Sequence, residues 1–246
     1  MKLNQKQIDQ FNQDGFLILK NFASKELCDE ILQTAKKHMQ NLTAPIESEQ
    51  EYLLQNTHDI TLRRLRQVYQ REDIFKKWMT NKDIRPMLKQ LLGQTPVLTL
   101  AHHNSIMTKM PHDSSKTCWH QDKRYWHYHD DNLLSVWLAL DDEYLENGLL
   151  EFIPKSHTLN LTPEQFDERT CFKDDEKNHN IIKNKVHTPL HQGDIVFFHC
   201  KTLHAASKNY TNKPKISFVY TVKGINTKPI KETRSDSIEV ILDDNL

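Results

Sequence analysis

The sequence predicts an α+β fold in which a helical layer packs on a β-barrel or sandwich. Helical periodicity and helix caps dominate the first 94 residues, and after Gln94-Thr95-Pro96 the pattern changes to six or more short strands bounded by turns. At 246 residues the chain is long enough to bury a substantial core and fits one domain with helical additions. We therefore read residues 1–246 as a single domain: a mainly helical part (1–94), a strand core (95–225) carrying an insertion (158–188), and a tail (226–246).

Each element has a local reason. Asn4 to Asn12 is polar with Ile8 and Phe11 three apart, a short amphipathic helix ended by Asp14-Gly15. Phe16 to Leu19 reads as a buried strand. Ser24 is an N-cap, Glu26 suits the first turn, and Leu27, Ile31, Ala35 and Met39 form one apolar face of a second helix. Residues 41–59, with Pro45 and several acidic side chains, are expected to form a mobile loop. Helix is expected to resume at Thr61, with Leu62, Leu65 and Tyr69 on one face, so that Arg63, Arg64 and Arg66 fall on a solvated one. Phe75, Trp78 and Met79 mark the next helical face, and Asp83 to Leu92 closes at Gly93.

Val97 to Met110 alternates loosely as a strand that places His103, Ser105, Met107 and Lys109 on one face. Leu133 to Leu140, Leu149 to Ile153, Ile195 to His199 and Ile216 to Val222 supply further strands, and Ile238 to Leu242 a last one. The polar stretch 158–188 has the length of a lid or of a disordered excursion.

Composition excludes several function classes. Lys+Arg and Asp+Glu number 33 each, so no global charge points to nucleic acid or an anionic membrane. The partner expected is a small molecule. Cys28, Cys118, Cys171 and Cys200 form no C-x-x-C pair and read as reduced thiols. Met1 to Asn12 lacks the apolar core of a signal peptide, and no apolar run reaches the length of a membrane span; a cytoplasmic protein is expected.

The chemistry concentrates in Trp119 to His127. On a strand, His120 and Asp122 point the same way and can grip one metal ion. A two-histidine, one-carboxylate face needs a second histidine, and His204, after Gly193-Asp194 and the Ile195 strand, is the obvious supplier. Such a set suits a jelly roll, where distant strands become neighbours. By spacing alone, an exposed polar strand explains His120 and Asp122 equally well.

Several stretches together resemble the phytanoyl-CoA dioxygenase family, including its ectoine-hydroxylase-like bacterial branch. They are Phe11 to Leu19, Trp119-His120-Gln121-Asp122 with Trp126-His127 behind, Trp137 to Asp142, Glu146 to Leu150, Ile153-Pro154-Lys155-Ser156-His157, Gly193-Asp194, and His204 to Lys215. The resemblance implies a double-stranded β-helix, a cupin-like jelly roll with the N-terminal helices packed on one face, and His120, Asp122 and His204 as iron ligands. It implies Fe(II), 2-oxoglutarate and O2, and hydroxylation of a small molecule with release of succinate and CO2. Asp122 favours hydroxylation, since related halogenases carry a small residue there.

The chain departs from the family pattern at three places. Lys215 stands where relatives carry the arginine whose fork holds the far carboxylate of 2-oxoglutarate, which keeps the charge and loses the bidentate geometry. Ala206 replaces a small hydroxyl residue, with Ser207 beside it. Lys155 replaces a turn glycine, a change that costs little if the turn avoids positive φ. The resemblance makes Lys215 and Lys109 the cosubstrate contacts and Tyr125, Trp126 and Trp137, with His103 and Ser105, candidates for the substrate pocket. The alternative class is a non-catalytic or differently metallated jelly roll with an altered cosubstrate site, because donor type alone does not fix the metal.

Overall fold

The structure is a computed structural model that describes residues 1–55 and 60–243. Helix α1 (Gln5–Asp14) opens with a reciprocal cap: the Asn4 side chain accepts from Gln7 N and the Gln7 side chain accepts from Asn4 N. Gly15, at φ 82°, ends it in the left-handed region. Strand β1 (Phe16–Leu19) follows, then α2 (Lys25–Gln40), capped by Ser24 and burying Cys28, Ile31 and Ala35.

The next stretch differs from expectation. Residues 41–55 hold strand β2 (Ile46–Ser48) and helix α3 (Glu49–Leu53) in place of a loop, while 56–59 lie outside the described residues. Leu62–Arg66 is strand β3, not a helix. The spacing of Leu62, Leu65 and Tyr69 mimics helical periodicity, but pairing with strands on both sides decides the conformation. Helices α4 (Asp73–Met79) and α5 (Arg85–Leu92) fall where the sequence places them.

The expected strand from Val97 to Met110 is two, β4 (Pro96–Thr99) and β5 (Asn104–Lys109), with His102 and His103 in the link. Then come β6 (Thr117–His120), β7 (Leu133–Ala139), β8 (Leu150–Phe152), α6 (His179–Ile182), β9 (Val186–His187), β10 (Ile195–His199), β11 (His204–Ala206), β12 (Lys215–Gly224) and β13 (Glu239–Ile241). Among the described residues these form two sheets. The larger has nine strands with the path β1-β10-β7-β12-β5-β3-β2, β4 joining β12 and β13 joining β4; the smaller runs β6-β11-β8-β9. This is the jelly roll the family resemblance implies.

Strand β12 shows how the layers are stacked. Its residues are buried from end to end because both faces of the large sheet are covered. Phe218 and Tyr220 join Ile31, Phe75, Trp78 and Leu88 of the helices in one core, so the helices cover that face. Val219, one residue over, packs with Phe198 and Trp137 against Leu150, Phe152 and Ala206 of the small sheet. The space for chemistry lies in this second layer, between the sheets.

Residues 158–188 are docked on the outer side of the small sheet. Phe166, Phe172 and Ile182 pack with Trp119, Ile153, Leu203 and Ala205, and Phe172 N donates to Trp119 O. Cys118 and Cys171 are joined in a disulfide, which corrects the reading of four reduced thiols; Cys28 and Cys200 are free and buried. Their 53-residue separation hides the pair in sequence, and the docking of the insertion brings the two together. Lys155 also corrects an expectation. It sits at φ 67°, so a β-carbon is carried where glycine is favoured, at a cost of roughly 1 kcal/mol.

Candidate metal centre and active site

Strands β6 and β11 are paired in register with His204 opposite His120, so backbone hydrogen bonds alone bring the two imidazoles to one edge of the small sheet. Asp122 lies just past the end of β6, at the start of a 3-10 turn over Asp122–Tyr125, and not within the strand as its spacing implied. The turn still aims its carboxylate back: Oδ1 is 3.7 Å from His120 Nε2 and 3.8 Å from His204 Nε2. The three donor atoms lie within 4.8 Å of one another.

Each ligand is oriented by a second bond. His120 Nδ1 donates to Cys118 O at 2.8 Å and His204 Nδ1 to Thr202 O at 3.0 Å, which leaves both Nε2 lone pairs facing Asp122. His103 Nε2 donates to Asp122 Oδ1 at 3.0 Å, and Ser135 Oγ to Oδ2 at 3.1 Å. Burial alone would raise the Asp122 carboxyl; His103, His204 and His120 outweigh it and hold the group ionised, below its ordinary range. Burial, with His204 next in weight, lowers His120 to about 3; burial also lowers His204, against the pull of Asp122. Two neutral imidazoles and one carboxylate, each preoriented and facing a common point, fit a divalent metal with open positions opposite them.

A cavity of about 440 Å³ opens on this face. Lys215 and Lys109 stand opposite each other on β12 and β5 and line it together. Lys215 Nζ is 3.1 Å from Glu143 Oε2 and 5.0 Å above the Trp137 ring; Trp137 Nε1 and Ser217 Oγ donate to Glu143 Oε1. Lys109 Nζ donates to Ser115 O at 2.6 Å. Burial, then the charges of Arg63 and Lys215, lower Lys109 to about 7.

Of the other predicted residues, Trp126 packs against His102 and His103, and Tyr125, at the rim, meets the His120 ring and donates to Arg169 O. His103 and Trp137 line the metal cavity, whereas Ser105 lines an adjoining cleft. Ser207 turns to Leu145 O and leaves Ala206 on the wall.

Sequence reasoning missed Arg63, Arg64, Tyr52, Arg169 and Arg234 on the cavity lining. The first two lie in a run whose charge was visible and whose strand conformation was not. Arg63 is buried by an ion pair to Glu49 at 3.2 Å and lies over Tyr52.

Comparison with known proteins decides the family. The sequence model of the phytanoyl-CoA dioxygenase family matches residues 11–217. The chain belongs to this family.

The phytanoyl-CoA dioxygenase domain-containing protein 1 of Bos taurus is 21% identical over 265 residues, spanning 89% of each chain. The ectoine dioxygenase of Bordetella bronchiseptica is 22% identical, covering 87% of this chain and 73% of that protein. Among solved structures, EctD from S. alaskensis with 2-oxoglutarate and 5-hydroxyectoine superposes with a TM-score of 0.76 at 18% identity, over 93% of this chain and 78% of that one. The epimerase SnoN, in complex with Fe3+, alpha ketoglutarate and nogalamycin RO, gives 0.76 at 19% identity, over 92% and 85%. This member of the phytanoyl-CoA dioxygenase family is thus a non-haem iron, 2-oxoglutarate-dependent dioxygenase by family and by fold. Among the described residues no helix is long and apolar enough to cross a membrane.

Proposed function

We propose that the chain hydroxylates a small molecule, with His120, Asp122 and His204 holding Fe(II) and Lys215 and Lys109 receiving the far carboxylate of 2-oxoglutarate. The observation that carries the reading is the convergence of the three donors within 4.8 Å on the lining of a cavity that two facing lysines also line.

Bound iron and 2-oxoglutarate supply the oxidation by O2, releasing succinate and CO2. The chain's own residues do the rest. Cys118 O and Thr202 O fix the imidazole tautomers, and His103 and Ser135 fix the carboxylate. Lys215 is paired with Glu143, and Lys109 stands opposite it on the neighbouring strand. Trp126 and Trp137 exclude water from the cavity, and Tyr125 closes its rim against Arg169.

The test is anaerobic titration of the Fe(II)-loaded protein with 2-oxoglutarate, read by the metal-to-ligand charge-transfer band in the visible. A saturable band, absent in His120→Ala and weakened in Lys215→Ala, is the expected result. Iron binding without any band would overturn the reading.

A further inference from the structure

Beside the metal cavity lies a second cleft of about 300 Å³, and the two adjoin: Arg64, His102 and Arg234 line both. Arg64 and Arg66 lie two apart on β3, so both project to one face, opposite Met107 and Ser105 of β5. Arg234 reaches the same place from the C-terminal segment, which is held by Ser235: its hydroxyl bonds His102 Nε2 and accepts from His127 N. Three guanidinium groups are thereby gathered at one junction.

Their charge is only partly matched by the protein. Glu47 pairs with Arg64, and its other oxygen is 3.5 Å from Arg63, which already binds Glu49. Arg66 and Arg234 make no side-chain hydrogen bond or ion pair among the described residues, and no carboxylate lines the cleft. Arg234, an exposed residue, has its guanidinium lowered by partial burial and then by Arg66 and Arg64, against the pull of Glu47. Gathering like charges at a concave site is unfavourable until an anion fills it, and planar guanidinium forks match tetrahedral oxyanions.

We propose that Arg64, Arg66 and Arg234 grip a phosphate-type group at the far end of the molecule whose reacting carbon lies at the metal. The substrate class is then an anionic phosphoester that spans both clefts past His102 and Trp126. This deepens the oxygenase reading and rests on it for the identity of the bound molecule as substrate; the anion site itself rests on the arginine cleft alone.

The test is calorimetric titration of the full-length chain with inorganic phosphate and, separately, with phenyl phosphate, whose ring extends toward Trp126. Both are expected to bind saturably, phenyl phosphate at least threefold tighter, and Arg66→Gln/Arg234→Gln is expected to weaken both at least tenfold. Arg66→Lys/Arg234→Lys retains the charge and is expected to lose less, which separates anion binding from damage to the fold. No saturable binding by the parent chain, or equal binding by the glutamine variant, overturns the site. Equal affinity for the two probes overturns the substrate anchor and leaves a site for free phosphate. The 2-oxoglutarate band is read on the same samples. If it never forms while phosphate binding behaves as expected, the oxygenase reading fails and the anion site stands; a normal band without phosphate binding has the opposite meaning.

Discussion

Lys215 Nζ lies 3.1 Å from Glu143 Oε2, and both side chains are almost wholly buried. The lysine proposed to receive 2-oxoglutarate is therefore already partnered. Removing it strands a carboxylate whose remaining partners are Trp137 Nε1 and Ser217 Oγ.

Lys215→Met is accordingly expected to cost about 3 to 5 kcal/mol of stability, as for one half of a buried ion pair, and to weaken 2-oxoglutarate binding at least tenfold. The double variant Lys215→Met/Glu143→Gln should recover most of that stability and none of the binding. Urea denaturation and the visible titration, run on the same proteins, separate the two effects. A single variant as stable as the parent would show that the pair contributes nothing to the fold.

Lys109 gives the cosubstrate step a pH dependence. Its pKa of about 7 means that it is already charged below pH 7 and must take up a proton above it to meet a carboxylate. Affinity for 2-oxoglutarate should fall as pH rises beyond about 7, by up to roughly tenfold per unit, and Lys109→Met should flatten that slope. Titrations at several pH values between 6 and 9 read this directly.

His103 holds the Asp122 carboxylate in place. His103→Ala is expected to lower metal affinity by roughly 10 to 100-fold, as for loss of a group that orients a ligand, while His120→Ala removes the ligand itself and costs more. Competition with a chelator gives both numbers. Unchanged affinity in His103→Ala would mean that Ser135 suffices to hold the carboxylate.

The metal triad was legible because its three residues sit in motifs whose order and separation resemble those of the family. His103 carried no such signal, since nothing in its neighbours distinguishes a bond to Asp122 from an ordinary polar residue. Arg63, Arg64 and Arg66 were visible as a basic run and misplaced on a solvated helix. What makes Leu62–Arg66 a strand is the pairing of Arg64 with Met107 and of Leu65 with Ile106, relationships across 43 and 41 positions that local spacing does not encode. Arg234, in a charged tail, became meaningful only when the chain returned it to β3.

Buried neutral histidines should make the metal-free chain acid-sensitive. Burial holds His102 at about 3 and His199 at about 4, against an ordinary value of 6.5, so unfolding takes up protons between these limits. Stability is full above pH 6.5 and declines as pH falls toward 4, each histidine contributing up to about 1.4 kcal/mol per unit. Thermal melts between pH 7 and 4 check the sign, and His102→Gln should show a shallower decline than the parent.

The link between Cys118 and Cys171 closes a 53-residue separation. Loop-closure entropy puts its contribution at about 4 kcal/mol, an upper figure for a chain whose unfolded state is compact. A reductant should lower the denaturation midpoint of the parent and leave Cys171→Ser unmoved. Identical midpoints with and without reductant would show that docking of Phe166 and Phe172 alone secures the insertion.

The direct pairing of His120 with His204 also orders events during synthesis. The ladder between β6 and β11 joins residues 84 positions apart and cannot form until both segments exist. A nascent polypeptide exposing β6 has two of the three donors, and its second imidazole is aligned once β11 has added to the sheet. The three-donor set is thereby completed only by the pairing of β11 with β6.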